Sequence, residues 1–149
     1  ASRVSAPALV IAADTVVTYK MRLFGKPSTK EEARSMLRAL AGQTHLVITG
    51  LAVAEAGKST ALMDSEQTRV TFRALDEATI NGYIDTGEPF DKAGAYGIQG
   101  KGGQLVESIE GDYFNVVGLP CRLLLEMLSQ FMDTRGFRAP EARIPWVPQ

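Results

Sequence analysis

The segment at residues 88–103, which reads EPFDKAGAYGIQGKGG, limits the possible folds of this chain more than any other feature. Its glycines allow backbone conformations that other residues resist, and they weaken any regular helix or strand. They lie at positions 94, 97, 100, 102 and 103. Glycines interleaved with charged residues are typical of a loop that approaches a ligand closely. We therefore expect a functional loop here, with room for one short helix.

A short apolar run, Ala8–Ala13, leads directly into Asp14 and Thr15. A continuous apolar run of this length predicts a buried strand that delivers polar groups at its end. A buried strand needs a neighbouring strand on each side. We therefore expect a further segment of the protein upstream of this run.

Helix signals and strand signals alternate along the rest of the chain. Ser28 and Glu31 have the spacing of a capping box before a helix that Gly42 ends. Asp76 is placed to cap a second helix. Strands are predicted at 45–54, 67–75, 104–109 and 114–117. A last helix carries apolar residues at helical spacing, namely Leu123, Leu124, Met127, Leu128 and Phe131.

These elements predict a single α/β domain. We expect a mixed, twisted sheet flanked by helices over residues 1–132. Residues 133–149 contain three prolines and no clear periodicity, which predicts a surface tail.

Charge and cysteine content exclude several classes of protein. The 16 basic and 17 acidic residues give a formal net charge of −1, so broad binding to nucleic acid or to an anionic membrane is not expected. No apolar run reaches the roughly 20 residues that span a bilayer. The single cysteine, Cys121, cannot form an internal disulfide. We therefore predict a cytoplasmic protein.

Five pieces of the sequence resemble the Maf family in unchanged order. They are VIAADTVV at 10–17, GKP at 25–27, THLVITG at 44–50, TGEPFDKAGAYGIQG at 86–100 and NVVGLP at 115–120. The likeness runs from about residue 8 to residue 131, and the long glycine-rich motif makes it specific. It implies a Maf/inosine triphosphatase-like fold with a central cleft, and commonly a homodimer.

The resemblance also implies an activity. Members of this family hydrolyse a nucleoside triphosphate between its α and β phosphates with the help of a divalent cation, Mg²⁺ or Mn²⁺. Asp14 is then the expected proton acceptor, and Thr15 and Gln99 are expected to contribute to base selection. The AGAYGIQG form of the loop resembles the branch that acts on dTTP and UTP. A glutamine amide can accept from the ring N–H of uracil or thymine while it donates to an adjacent carbonyl oxygen.

The residue types suit this chemistry. Asp14 can act as a base or as a metal ligand. Lys26 and Lys92 can neutralise phosphate oxygens. Glu88 and Asp91 offer the hard oxygen ligands that Mg²⁺ and Mn²⁺ prefer.

Other interpretations stay open. The Ser-x-Ser-Pro-Arg-Arg motif that supplies arginines in the family does not occur in these 149 residues, and Arg3 lacks that setting. The alternative function is therefore a catalytically impaired, nucleotide-binding regulatory protein. Asp14 is also suited to capping a turn. The charged residues of the 88–103 loop are also suited to a local charge network of little functional weight. His45, beside an apolar run, is predicted to be structural, and burial is predicted for Cys121.

Overall fold

The structure, a computed structural model, describes residues 8–133 and contains a five-stranded sheet. The strands are β1 (Leu9–Tyr19), β2 (Arg22–Phe24), β3 (Thr44–Glu55), β4 (Ala61–Phe72) and β5 (Val106–Glu110). The helices are α1 (Lys30–Leu40), α2 (Glu77–Asp85), α3 (Tyr113–Val117) and α4 (Cys121–Asp133). Short 3₁₀ helices lie at Glu88–Asp91, Ala93–Ala95 and Lys101–Leu105. The predicted α/β class is confirmed, whereas residues 1–7 and the predicted tail beyond residue 133 lie outside the described residues.

The strand order is β2-β1-β3-β4-β5, and every pairing between described strands is antiparallel. The expectation of a mixed sheet was wrong in this respect. A parallel pair needs a long crossover connection, but only two residues join β1 to β2 and five join β3 to β4, in short turns that reverse the chain. Lys20 and Met21 form the first turn with positive φ angles of 47° and 62°, and Gly57 adopts φ 83° in the second. Tight turns of this kind force antiparallel neighbours.

The sheet buries the face that packs against the helices. Val47, Leu51 and Val53 of β3 are each no more than 2% exposed. Val47 belongs to the larger hydrophobic cluster, which includes α1 and α2, while the other two pack against α4. Strand side chains alternate between faces, so the residues between them point the other way. That opposite face includes Leu46 and lines an open groove of about 980 Å³.

The first strand differs from its prediction. It was expected to be buried and to end at Asp14, but β1 continues to Tyr19. Its apolar residues Leu9, Val10 and Ile11 are 37–45% exposed. Among the described strands, β1 pairs with β3 along most of its length and with β2 only from Val17 to Tyr19. Among the described strands the first half of β1 therefore has a partner on one side only, and its apolar residues are exposed there.

The start of α1 lies one residue later than the predicted capping box. Thr29, not Ser28, is the N-cap, and its hydroxyl oxygen accepts from Glu32 N at 3.1 Å. Glu32 Oε2 in turn accepts from Ser28 N at 2.6 Å. The sequence STKEE contains both S-x-x-E and T-x-x-E, and the backbone adopts the second.

A predicted strand at 114–117 is a helix. Asp112 caps α3 by accepting from Phe114 N at 2.8 Å, and Gly118 ends it with φ 128°. Within this turn Asn115 is fully buried, and its Nδ2 donates to Val47 O at 3.1 Å. These hydrogen bonds require the compact turn and override the strand preference of the local sequence. The other strands exist as predicted, with bounds shifted by one to six residues.

Leu37 allows a direct test of the core, because it lies on α1 and is 0% exposed. Leu37→Ala is expected to lower the free energy of unfolding by about 2–5 kcal/mol, since it removes buried methyl groups and leaves a cavity. Ser35→Ala on the exposed side of the same helix is the matched control, with an expected change within about 0.5 kcal/mol. Urea unfolding measures both. Equal stability of the two variants would contradict the assigned packing.

Candidate active site

The residues singled out in the sequence line two adjoining cavities. The first, of about 240 Å³, is lined by predicted site residues from β1, the GKP turn and the glycine-rich loop, namely Asp14, Thr15, Lys26, Asp91 and Lys92. The second, of about 380 Å³, is lined mostly by that loop and includes three predicted site residues, Glu88, Lys92 and Gln99. The two cavities share Lys92, Tyr96, Val116 and Val117. Each of the seven predicted residues therefore contributes to the wall of one or both of these cavities.

The hydroxyl of Thr15 is held from two sides. It lies 2.8 Å from Thr49 Oγ1 on β3, which is its partner in the strand register. It also donates to Gly118 O, at the end of α3, at 3.4 Å. The strand pairing and the α3 turn together fix this polar group at the cavity wall.

Asp14 lies next to Thr15 but, by the alternation of a strand, on the other face of β1. Its carboxylate is on an exposed residue of the strand edge. Its register partner on β3 is Gly50, where an added Cβ would meet no atom within 4 Å. The space beside Asp14 is therefore open to a ligand.

The glycine-rich loop packs directly against β1. Gly94 has φ 73°, and an added Cβ there would lie 2.9 Å from Val17 Cγ2. Gly94 N also donates to Gly25 O at 3.1 Å, which ties the loop to the GKP turn. Only glycine satisfies both the backbone conformation and the close approach. This contact brings Lys26 and Lys92 to the same cavity.

Lys92 lies between the two cavities and is paired with its neighbour. Its Nζ donates to Asp91 Oδ1 at 2.9 Å, and this hydrogen bond holds the pKa of Asp91 below its usual value. The aliphatic part of the Lys92 side chain packs against the backbone of the loop at Gly97. A Cβ added at Gly97 would lie 2.7 Å from Lys92 Cε. The ammonium group is therefore positioned by the loop, and Asp91 is ionised at neutral pH.

Glu88 is engaged by the loop itself. Its carboxylate accepts from Lys101 N at 2.9 Å, from Gly102 N at 3.0 Å and from the Tyr83 hydroxyl at 2.9 Å. Partial burial alone would raise the pKa of Glu88, but the backbone donors outweigh it, so the pKa lies below its usual value. The carboxylate is thus ionised and already hydrogen-bonded on both oxygens.

The carboxylates permit a metal site that the substrate completes. In the part of the chain that the structure describes, no group of three or more His, Cys, Asp or Glu side chains is arranged to hold a metal ion alone. Asp14 and Asp91 nevertheless line the same cavity. Mg²⁺ is commonly bound through one or two carboxylates together with substrate phosphates. The residue types at this cavity therefore suit such an ion, and the Asp14 side chain leaves β1 on the face opposite to Thr15.

His45 is structural, as its sequence position indicated. It is 2% exposed, and its Nε2 lies 2.8 Å from the hydroxyl of Tyr96. Phe72 meets its ring edge-on at 5.0 Å between centroids. Burial lowers the pKa of His45 from 6.5 to about 4. The neutral ring supports Tyr96, which lines both cavities.

The shifted pKa of His45 predicts a pH dependence of stability. Between pH 6.5 and pH 4 the unfolded chain takes up a proton at this site and the folded chain does not. The contribution of neutral His45 to the free energy of unfolding is therefore fully present above pH 6.5. It is lost as the pH falls, and at pH 4 the free energy of unfolding is lower by about 3 kcal/mol. Urea unfolding at pH 7 and pH 4 of the wild type and of His45→Gln measures the effect. Between pH 7 and pH 4 the free energy of unfolding of the variant should fall by less than that of the wild type, and the difference should equal the contribution of His45. An identical fall in both proteins would refute the assignment.

Several site residues were not predicted. Tyr96 and Thr49 act through hydroxyl groups that contact residues distant in sequence, Tyr83 acts through a hydroxyl that contacts Glu88, and Asn115 acts through its buried amide. The position of Tyr96 within the AGAYG motif was the available signal. Cys121, predicted to be buried, is half-buried and donates to Leu119 O at 3.4 Å.

Comparison with known proteins agrees with this geometry. The family model described as Maf-like protein matches residues 1–131. The glycine-rich loop, the GKP turn and the polar residues of β1, which surround the cavities, all lie within that match. The chain belongs to the Maf family.

Three similar proteins share one curated name. The chain is 46% identical over 148 residues to a dTTP/UTP pyrophosphatase of Caldanaerobacter subterraneus subsp. tengcongensis. The matched region covers 97% of this chain and 72% of the relative. It is 50% identical over 123 residues to the dTTP/UTP pyrophosphatases of Bacillus cereus and Bacillus anthracis, covering 83% of this chain and 63% of each relative. The chain thus spans roughly two thirds of the length of these proteins. Among the described residues, none of the helices is long and apolar enough to cross a membrane.

Proposed function

We propose that this chain carries the active site of a nucleoside triphosphate pyrophosphatase that hydrolyses dTTP or UTP to the monophosphate and pyrophosphate. The observation that carries the proposal is the convergence of a carboxylate, two lysines and a glutamine on adjoining cavities. The names of the relatives support the choice of substrate. A cytoplasmic location and a homodimer stay predictions.

The lysines are suited to holding the triphosphate. Lys26 and Lys92 line the first cavity, and Lys92 extends to the second. Positive charge placed against phosphate oxygens stabilises the charge that develops when the bond to the pyrophosphate leaving group breaks.

Asp14 is suited to the proton transfer. Its exposed carboxylate accepts a proton from the attacking water, which makes that water a better nucleophile at the α phosphorus. A divalent cation held by Asp14 and Asp91 would supply charge neutralisation at the phosphates. Since the carboxylate of Glu88 is occupied by loop hydrogen bonds, these two aspartates are the better metal ligands.

We assign base selection to Gln99 and Thr15, which line different cavities. Gln99 lines the second cavity and is exposed, so its amide is free to meet a uracil or thymine edge. Thr15 lines the first cavity with a hydroxyl that is oriented by Thr49. Cytosine lacks the ring N–H that Gln99 would accept from, which gives the site a reason to prefer uracil and thymine.

The proposal is tested by pyrophosphate release from dTTP, UTP, CTP, ATP and GTP with Mg²⁺ or Mn²⁺, measured together with nucleotide binding. Faster release from dTTP and UTP than from the other three supports the enzyme. Selective binding of dTTP and UTP without release would instead favour the nucleotide-binding regulator. Absence of both binding and release would refute the site assignment.

A further inference from the structure

One tyrosine and one glutamate connect both sides of the turn that carries Gln99. The Tyr83 hydroxyl accepts from Gly97 N at 3.1 Å and donates to Glu88 Oε1 at 2.9 Å. Glu88 accepts from the backbone of Lys101 and Gly102. Gln99 lies between these anchored positions, two residues from Gly97 and two from Lys101. A single hydrogen-bonded pair therefore restrains the turn on both flanks.

The glycines of this turn bring its backbone onto the same two side chains. A Cβ added at Gly100 would lie 2.5 Å from Glu88 Oε2. One added at Gly102 would lie 2.6 Å from the Tyr83 hydroxyl and 2.5 Å from Gly97 O. Real Cβ atoms do not occupy such positions, so the turn is packed as closely as backbone atoms allow.

Tyr83 and Glu88 are both held by the structure around them. Tyr83 lies on α2, is 5% exposed and belongs to the main hydrophobic cluster. Burial raises its pKa, so the hydroxyl keeps its proton for the bond to Glu88. Glu88 begins the 3₁₀ helix after α2, and its own N–H donates to Thr86 Oγ1 at 3.2 Å. The turn is thus anchored to the core through α2.

We propose that Tyr83 and Glu88 are positioning residues that set base selectivity by fixing the turn that presents Gln99. The inference rests on the proposed function in taking Gln99 as the residue that reads the base. Neither Tyr83 nor Glu88 needs to touch the nucleotide. When the turn is released, the amide of Gln99 loses its fixed direction, and uracil and cytosine are distinguished less well.

Binding of the α,β-methylene analogues of UTP and CTP tests the inference without requiring turnover. Tyr83→Phe keeps the buried ring and removes the hydroxyl. It is expected to reduce the UTP-to-CTP affinity ratio about fivefold to tenfold. Gln99→Ala should reduce the ratio at least as much, and the double variant should show no further loss beyond Gln99→Ala. Glu88→Gln should act in the same direction as Tyr83→Phe, because it places an N–H group against backbone donors.

The matched control is Tyr19→Phe, which removes a hydroxyl that donates to Gln43 Oε1 at 2.9 Å outside both cavities. Its affinity ratio should equal that of the wild type. Amide hydrogen exchange provides a second readout, with faster exchange expected at Gly97 in Tyr83→Phe than in Tyr19→Phe.

Each outcome decides the inference. The inference would be overturned if Tyr83→Phe left the UTP-to-CTP affinity ratio unchanged. It would also be overturned if Tyr83→Phe reduced this ratio equally in the wild type and in the Gln99→Ala variant. A wild type that does not prefer UTP to CTP would overturn it together with the role of Gln99. The wild type could bind UTP selectively, and lose that selectivity in Tyr83→Phe, without releasing pyrophosphate. That result would support the inference and refute only the proposed catalysis.

Discussion

Asp14→Asn is expected to reduce pyrophosphate release from dTTP or UTP by about 10²–10⁴-fold, the usual contribution of a general base. Asparagine has nearly the same size but cannot accept the proton of the attacking water. Asp14 is an exposed residue at an open strand edge opposite Gly50, so the substitution neither creates a cavity nor leaves a buried group unpaired. Steady-state kinetics measure the loss, and urea unfolding should show unchanged stability within about 0.5 kcal/mol.

Asp64→Asn is a matched control, because Asp64 is also an exposed strand residue but does not line either cavity. Its turnover should equal that of the wild type. Wild-type turnover in Asp14→Asn would refute the proposed base. A loss of turnover caused by unfolding would appear as a shifted urea midpoint, which separates the two explanations.

Lys92→Met is expected to reduce turnover by about 10²–10³-fold, because it removes positive charge from the place where phosphate charge develops. Methionine retains much of the stem that packs beneath Gly97, so the loop should keep its shape. Lys26→Met should have a smaller effect, since Lys26 lines only the first cavity whereas Lys92 lines both. Kinetics with UTP over a range of concentrations show whether the loss falls on kcat or KM.

Lys30→Met serves as the control for lost charge. Lys30 pairs with Asp85 at 3.0 Å, and both side chains are more than half exposed. Such a surface pair contributes little to stability, and its removal should leave turnover unchanged. Equal activities of Lys92→Met and Lys30→Met would contradict the phosphate-binding role.

Much of the fold was predictable because its signals are local. The apolar spacing of α1 and α4 and the cap at Asp76 all indicated helices that the structure contains. The turn at 113–117 was not predictable in the same way. Its conformation depends on Asn115, whose amide bonds to Val47 O on β3 and to Thr68 Oγ1 on β4. Contacts between residues more than 40 positions apart leave no mark in the local pattern.

The site shows the same division between local and distant signals. Its seven predicted residues lie in motifs, and they all line the adjoining cavities. Their supports were missed, since the hydrogen bond of Tyr96 to His45 joins residues 51 positions apart. The start of β1 is exposed among the described residues because it pairs there with β3 alone, and an apolar run does not specify how many strands will pair with it. Sequence patterns thus pointed to residues that line the cavities, and the structure adds what holds them in position.

The antiparallel pairing of β3 with β1 and β4 affects the order in which the strands of this chain come together. β3 and β4 form a local hairpin whose turn surrounds Gly57, and hairpins of this kind form within microseconds. β1 joins β3 only after the chain has closed a loop that includes β2 and α1, which costs more entropy. The contact between Thr15 and Thr49, which joins residues 34 positions apart, should therefore form late. A nucleotide would bind only after that closure, and so would slow the unfolding of the native chain rather than accelerate its folding.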